Sequence, residues 1–342
     1  MIIKPTVFVL GAGASQPYGF PVGDQLAMQV CALMPRIHSL DEPPKETKNL
    51  IQFRSWKLAS NDESFSTKLA VELPTAFLQS GCMTLDEFVE ASGNHKFLPL
   101  VKAGIIRVLL DRESDASLFP RPPLAPLPRE RVQQGQVWET PRYVEADWQR
   151  YLFRHMRTAD LNAFSQNEVK VITFNFDRSF ERKLFLMLKS AYGVSDQVAD
   201  RLAAAVPVLH LHGALGAEGW RGATGRDYGS SATQAQIQEI YRSIRIVHEE
   251  IDQGVLVEAR EWLNRAETIC FLGFSFHHTN TKRLRLHDGH PNASICGTAL
   301  GLSGPEVARA EGRFKLRPAL HNDKDCFRLL REVSGILATE VG

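Results

Sequence analysis

Apolar residues along this chain follow two rhythms. Short continuous runs read as strands buried on both faces: VFVL from Val7, VKVITF from Val169, VPVLHLH from Val206, TICFLGFSF from Thr268 and ASICGTALGL from Ala293. Between them the apolar positions recur at helical spacing. Phe180, Leu184, Met187 and Leu188 mark one helical face, and further helices are expected from about Asp24, after Gly213 to Gly229, near Pro305 to Glu311 and from Cys326 to Val333. A short FKLRP strand from Phe314 is expected before the last of these. Apolar strands alternating with helices predict an α/β protein with a Rossmann-like, doubly wound parallel sheet.

That alternation stops between residues 35 and 165, which predicts a large, mainly helical insertion into a core made of 1–34 and 166–342. Within it, Thr84 and Glu87 form a capping box ahead of an apolar face. Phe97 to Leu110 reads as a buried helix, and Val144, Trp148, Tyr151, Leu152 and His155 recur at helical spacing. Pro120, Pro122, Pro123, Pro126 and Pro128, followed by Arg129 to Gln136, cannot hold a regular element, so an exposed loop is expected near 120–136.

Composition narrows the function classes. With 342 residues, 44% hydrophobic, the chain can bury a sizeable core, and a net charge of +1 gives no global field for nucleic acid or anionic membrane. Neither is expected as a direct partner. Cys31, Cys82, Cys270, Cys296 and Cys326 are odd in number and widely spaced with no CxxC pair, which excludes a zinc ribbon and points to a reducing cytoplasm. No apolar run reaches membrane-spanning length, and the GxxxxGK[ST] phosphate loop is missing. Lys4, the apolar run and Ala12-Gly13-Ala14 imitate a secretory signal, but the stretch is short and Pro5 interrupts it.

Candidate chemistry gathers where the strands end, the side on which parallel sheets bind ligands. The first strand runs into Gly11-Ala12-Gly13-Ala14-Ser15, where Gly11 would permit a tight turn and Gly13 would let backbone N–H groups reach a phosphate. The dinucleotide fingerprint is incomplete, because Gln16 stands in place of its third glycine and no acidic residue closes a second strand about 20 residues on. Later strand ends present Asn175 and Asp177, then His210, His212 and Gly213, then Gly273 and Ser275, then Gly297 and Thr298. Each has a plain structural use as well: Asp177 could cap the following helix, Asn175 could shape a turn, and one of the histidines, which would share a strand face, could be a core residue. Asn280 is a candidate ribose contact. His277, His278, His287, Asp288 and His290 have metal-compatible side chains but no supporting cysteine, so no metal is expected.

Taken in order, GAGAS with YGFP behind it, TFNFD, LHG and GFS resemble the sirtuin (silent information regulator) family. The missing zinc ribbon, and Pro21-Val22-Gly23-Asp24 where that family carries Pro-Asp-Phe-Arg, are similar to its divergent bacterial branch that hydrolyses NAD in antiphage defence. The resemblance implies NAD as substrate. It implies that Asn175 positions water or the nicotinamide ribose, that Asp177 bonds the carboxamide, and that His212 is a general base titrating near neutral pH. Gly11, Ala12, Gly13, Ser15, Gly273 and Ser275 would hold the diphosphate, with Gly297 and Thr298 near the adenosine end. The resemblance further implies an activity held quiet until self-assembly into a homo-oligomer, or a defence partner such as an ATPase or an Argonaute-like protein, activates it. Protein deacylation and non-catalytic binding of NAD or ADP-ribose are the alternative activities. Cyclisation of ADP-ribose and a shared role for His210 stay open.

Overall fold

Six parallel strands form one sheet in the order β3-β2-β1-β4-β5-β6 in a computed structural model that describes residues 1–37, 67–92, 95–119, 147–217, 225–246, 249–290, 292–333 and 335–337. The strands are β1 (Thr6–Leu10), β2 (Val169–Thr173), β3 (Val208–His210), β4 (Thr268–Leu272), β5 (Ser294–Thr298) and β6 (Ala319–His321). The expected Pro-rich loop and Val144 lie outside the described residues. Central β1 pairs Phe8 with Val171 on one side and with Cys270 on the other. All five of its residues are buried, as are those of β4. Continuous apolar runs are what such central parallel strands require, since alternate side chains enter two different cores.

Phe8, Leu10, Val171, Cys270 and Leu272 face the larger core. Val7, Val9, Ile172, Ile269 and Phe271 face the smaller one. The larger core is closed by helices Gly23–Ile37, Thr67–Ser80, Leu85–Ser92, Leu98–Leu110, Trp148–Met156, Ser179–Tyr192 and Cys326–Glu332. Helices Gln253–Arg265 and Gly304–Glu311 cover the other face. With helices on both faces of a parallel sheet, the protein has a Rossmann-like doubly wound fold. The described helices of the 35–165 stretch share the sheet's own core, because Leu73, Phe88, Ile106 and Leu152 belong to the same apolar cluster as Phe8 and Val171.

Three element expectations are corrected. FKLRP is not a strand: the Phe314 ring packs 5.5 Å from that of Phe271, Leu316 is exposed, and β6 begins at Ala319, opposite Cys296. Burial of one residue and exposure of the next-but-one break the period-2 reading. The run from Thr268 to Phe276 stops pairing at Leu272, where Gly273 takes φ +59° and turns the chain; Phe274 and Phe276 then fold back onto Phe271. The segment after β1 is not a turn but helix Ala12–Ser15, which continues as a 3-10 turn over Gln16–Tyr18 before the helix expected from Asp24 begins at Gly23. Inside the insertion, Thr84 Oγ1 accepts from the Glu87 N–H at 3.2 Å as the capping box requires, while the Glu87 carboxylate reaches the Met83 N–H.

Candidate functional site

The strand order reverses between β1 and β4, and the carboxyl ends of the strands at such a switch point are where open parallel sheets bind ligands. Two backbone segments touch there. The Gly11 N–H donates to Leu272 O at 3.0 Å, the Gly13 N–H to Gly273 O at 3.0 Å, and the Ala14 N–H to Gly11 O at 2.9 Å. A Cβ on Gly11 would lie 2.5 Å from Gly273 O, and one on Gly273 would lie 2.1 Å from the Ala14 nitrogen. These glycines therefore let two chains meet, and the Gly13 N–H, expected to approach phosphate, is taken by protein. Thr298 and Gly297 are braces of the same kind. Thr298 Oγ1 accepts from the Gly273 N–H at 2.7 Å, and a Cβ on Gly297 would press on the Phe271 side chain at 2.8 Å. Ala12 remains partly exposed, Ser275 is exposed beyond Gly273, and Asn280 is buried with its Oδ1 unpartnered.

Beside this contact, side chains from the segment after β2 and from the first helix interlock. Asn175 Nδ2 donates to Gly11 O at 2.9 Å and to Ser15 Oγ at 3.0 Å. Asp177 accepts from the Ser179 N–H at 3.0 Å and from the Ser179 hydroxyl; it stands one residue before Arg178, the N-cap of helix Ser179–Tyr192, and ties the first turn from outside the cap position. Burial pushes its carboxyl above the ordinary carboxylate range, against the pull of those hydrogen bonds. Ser15, Gln149, Thr173, Asn175, Asp177 and Ser179 line a cavity of about 10 Å³, roughly the room one water molecule needs. Gln149 Oε1 is buried without a partner, while the neighbouring Trp148 Nε1–H donates to Ala14 O at 2.8 Å. Nothing in the sequence flags Gln149, because its position depends on how helix Trp148–Met156 packs.

The two histidines have opposite surroundings. His210 Nδ1 lies 2.9 Å from Asn175 O, and Nε2 lies 2.6 Å from Glu181 Oε1. Both neighbours accept, so both ring nitrogens carry protons. Burial works against that charge, but the Glu181 carboxylate and its hydrogen bond hold the His210 pKa above its ordinary value. Glu181 shifts the other way: burial would raise its pKa, and the paired imidazolium lowers it. His212 lies past the end of β3, with its ring 5.4 Å from that of Phe174. Its Nε2 is 3.1 Å from Arg283 Nη1, and since arginine only donates, that nitrogen is the acceptor. Burial first, and Arg283 second, push the His212 pKa down to about 3. The expectation of a base titrating near neutral pH is thus corrected for this form of the site: His212 is neutral and its basic nitrogen is engaged. Glu181 and Arg283 were missed by sequence reading, because both pairs are made between segments far apart in the chain.

A buried carboxylate from the insertion, Glu113, ties the segments that follow β2 and β3. Glu113 accepts from Arg178 Nε and Nη2, both at 3.1 Å, and from Arg226. Among the described residues no three His, Cys, Asp or Glu side chains converge as metal ligands would. His287 Nε2 pairs with Asp288 at 3.1 Å, and both ring nitrogens of buried His290 lack partners. No described helix is long and apolar enough to cross a membrane. No protein-family model matches the sequence, and no curated protein matches it. What the site offers chemically is two amides, three hydroxyls and the buried Asp177 carboxylate around one small cavity, with one charged and one neutral imidazole near it.

Proposed function

We propose that this protein is an NAD+ glycohydrolase, releasing nicotinamide and ADP-ribose, and that it serves as the effector of a bacterial antiphage defence system. The observation that carries this reading is the convergence of Ser15, Asn175 and Asp177 on one polar cavity beside the switch point of a doubly wound sheet. The order of GAGAS, TFNFD, LHG and GFS supports it. Cleavage of the N-glycosidic bond releases neutral nicotinamide from a cationic ring, so the leaving group needs no proton. The demands are an oriented carboxamide, stabilisation of an oxocarbenium-like ribose and a placed nucleophile. In this reading Asp177 bonds the carboxamide, Asn175 orients the water or the ribose, and His212 takes the proton once Arg283 leaves its Nε2. His210 holds its own proton against Glu181 and cannot be that base. The one-water cavity and the engaged His212 then describe a quiet form, which substrate, self-assembly or a partner such as an ATPase or an Argonaute-like protein must open.

Incubation of the full chain with NAD+, alone and with its cognate partners, and chromatography of the products test the reading. Free nicotinamide and ADP-ribose are expected, with losses of roughly 100-fold or more for His212→Ala and for Asn175→Ala. Absence of nicotinamide release with partners present, together with wild-type behaviour of Asn175→Ala in cells, would sink it. The engaged Nε2 of His212 favours one second reading, a non-catalytic module that binds NAD or ADP-ribose. There NAD+ binds without turnover, and His212→Ala leaves the biological output intact.

A further inference from the structure

A second cavity lies on the other side of Arg283. It is a solvent-open cleft of about 500 Å³ between helix Gln253–Arg265 and the 279–287 segment, lined by Arg260, Lys282, Arg283 and Arg285 with Glu249 and Glu250 on its rim. That volume falls within the range of small-molecule sites, roughly 300–1,000 Å³. Four cations meet two carboxylates, and one of the two is already committed: Glu249 Oε1 pairs with Lys102 at 3.1 Å while Oε2 accepts the Ile246 N–H at 2.9 Å. Asp288, near Arg260, pairs with His287. The backbone holds two of the cations in place, since Arg260 Nε donates to Arg283 O at 2.8 Å and Arg283 Nη2 donates to Glu249 O at 2.8 Å. Partial burial first, and Arg285 alongside second, keep Arg260 below its ordinary pKa, with Asp288 pulling the other way.

We propose that this cleft binds a phosphate-bearing small molecule, gripped by Arg260, Lys282 and Arg285 and reaching Arg283, the residue that also holds His212. Arginine forks match phosphate oxygens in pairs, and a lysine adds a movable point charge. The Arg283 guanidinium links the cleft to His212: an anion that draws Arg283 toward itself releases Nε2 of His212. The binding claim does not depend on NAD cleavage and is tested without it.

Calorimetric titration of the full chain with inorganic pyrophosphate at low salt is the direct test. Saturable binding near one equivalent is expected, weakening as salt rises and weakening at least tenfold in the double variant Lys282→Ala, Arg285→Asn. Both side chains are exposed, and asparagine tolerates the left-handed backbone of Arg285 at φ +54°, so the thermal midpoint of the variant should stay that of the wild type. Asn175→Ala should bind pyrophosphate normally. Displacement of bound pyrophosphate by NAD+ would assign the cleft to the substrate's own diphosphate, and persistence in saturating NAD+ would assign it to a separate phosphate ligand; either supports the site. No saturable binding, undiminished binding by the double variant, or loss of binding in Asn175→Ala overturns the proposal.

Discussion

Two histidines two residues apart differ in charge because Glu181 pairs with one, while burial first and Arg283 second act on the other. Glu181 keeps a proton on His210, and Arg283 together with burial keeps one off His212. The sign for stability follows. The folded pKa of His212, about 3, lies below its ordinary 6.5. Between those values the unfolded chain takes a proton that the native state refuses, so stability falls as pH drops from 6.5 toward 3. His210 contributes oppositely: its raised folded pKa gives stability that is full below the unfolded value and is lost as pH rises through the folded one. Nitrogen-15 NMR of the imidazoles checks both. At pH 6 His212 should be neutral with its proton on Nδ1, His210 should be an imidazolium, and Arg283→Gln should raise the His212 pKa. A protonated His212 at pH 6 would contradict the arrangement. The sequence presented both histidines at a strand end, but their charges depend on residues 29 and 71 positions away.

At the scale of elements, the contact between the β1 and β4 ends leaves no room for a side chain at Gly273. Gly273 combines a left-handed φ of +59° with a backbone neighbour where its Cβ would stand. Gly273→Ala is therefore expected to lower stability by at least about 3 kcal/mol, while Gly81→Ala, with open space around it, should lose less. Urea denaturation of the two variants compares them, and equal losses would refute the close-approach account. Strand existence was legible from apolar runs, since a central parallel strand is apolar on both faces. Strand ends were not. TICFLGFSF stays apolar after pairing stops, because Phe274 and Phe276 return to the same core from a loop. FKLRP misled for the complementary reason, with Phe314 buried by ring packing rather than by a ladder.

At the scale of the whole molecule, the described helices between Thr67 and Met156 belong to the sheet's core, and the last of them supplies a wall of the candidate site. Gln149 lines the cavity from it, and Glu113 reaches from the end of helix Leu98–Leu110 to Arg178 after β2 and to Arg226 after β3. The Glu113 side chain is 0% exposed, so removing it strands two guanidinium groups in the interior. Glu113→Ala should cost about 3–5 kcal/mol, measured by thermal or urea unfolding. A loss under about 1 kcal/mol would mean that the arginines find water instead.

The sequence by itself determined the parallel sheet, the helices on its faces and the row of small and polar residues at the strand ends, because burial on both faces and glycine's freedom leave local marks. Tertiary structure alone decided what those residues do. It turned Gly13 from an expected phosphate contact into a packing contact with Gly273, set Asn175 between Gly11 and Ser15, and made His212 neutral while charging His210. Charge state and hydrogen-bond partner are properties of neighbours in space. The spacing of residues along a chain does not contain them.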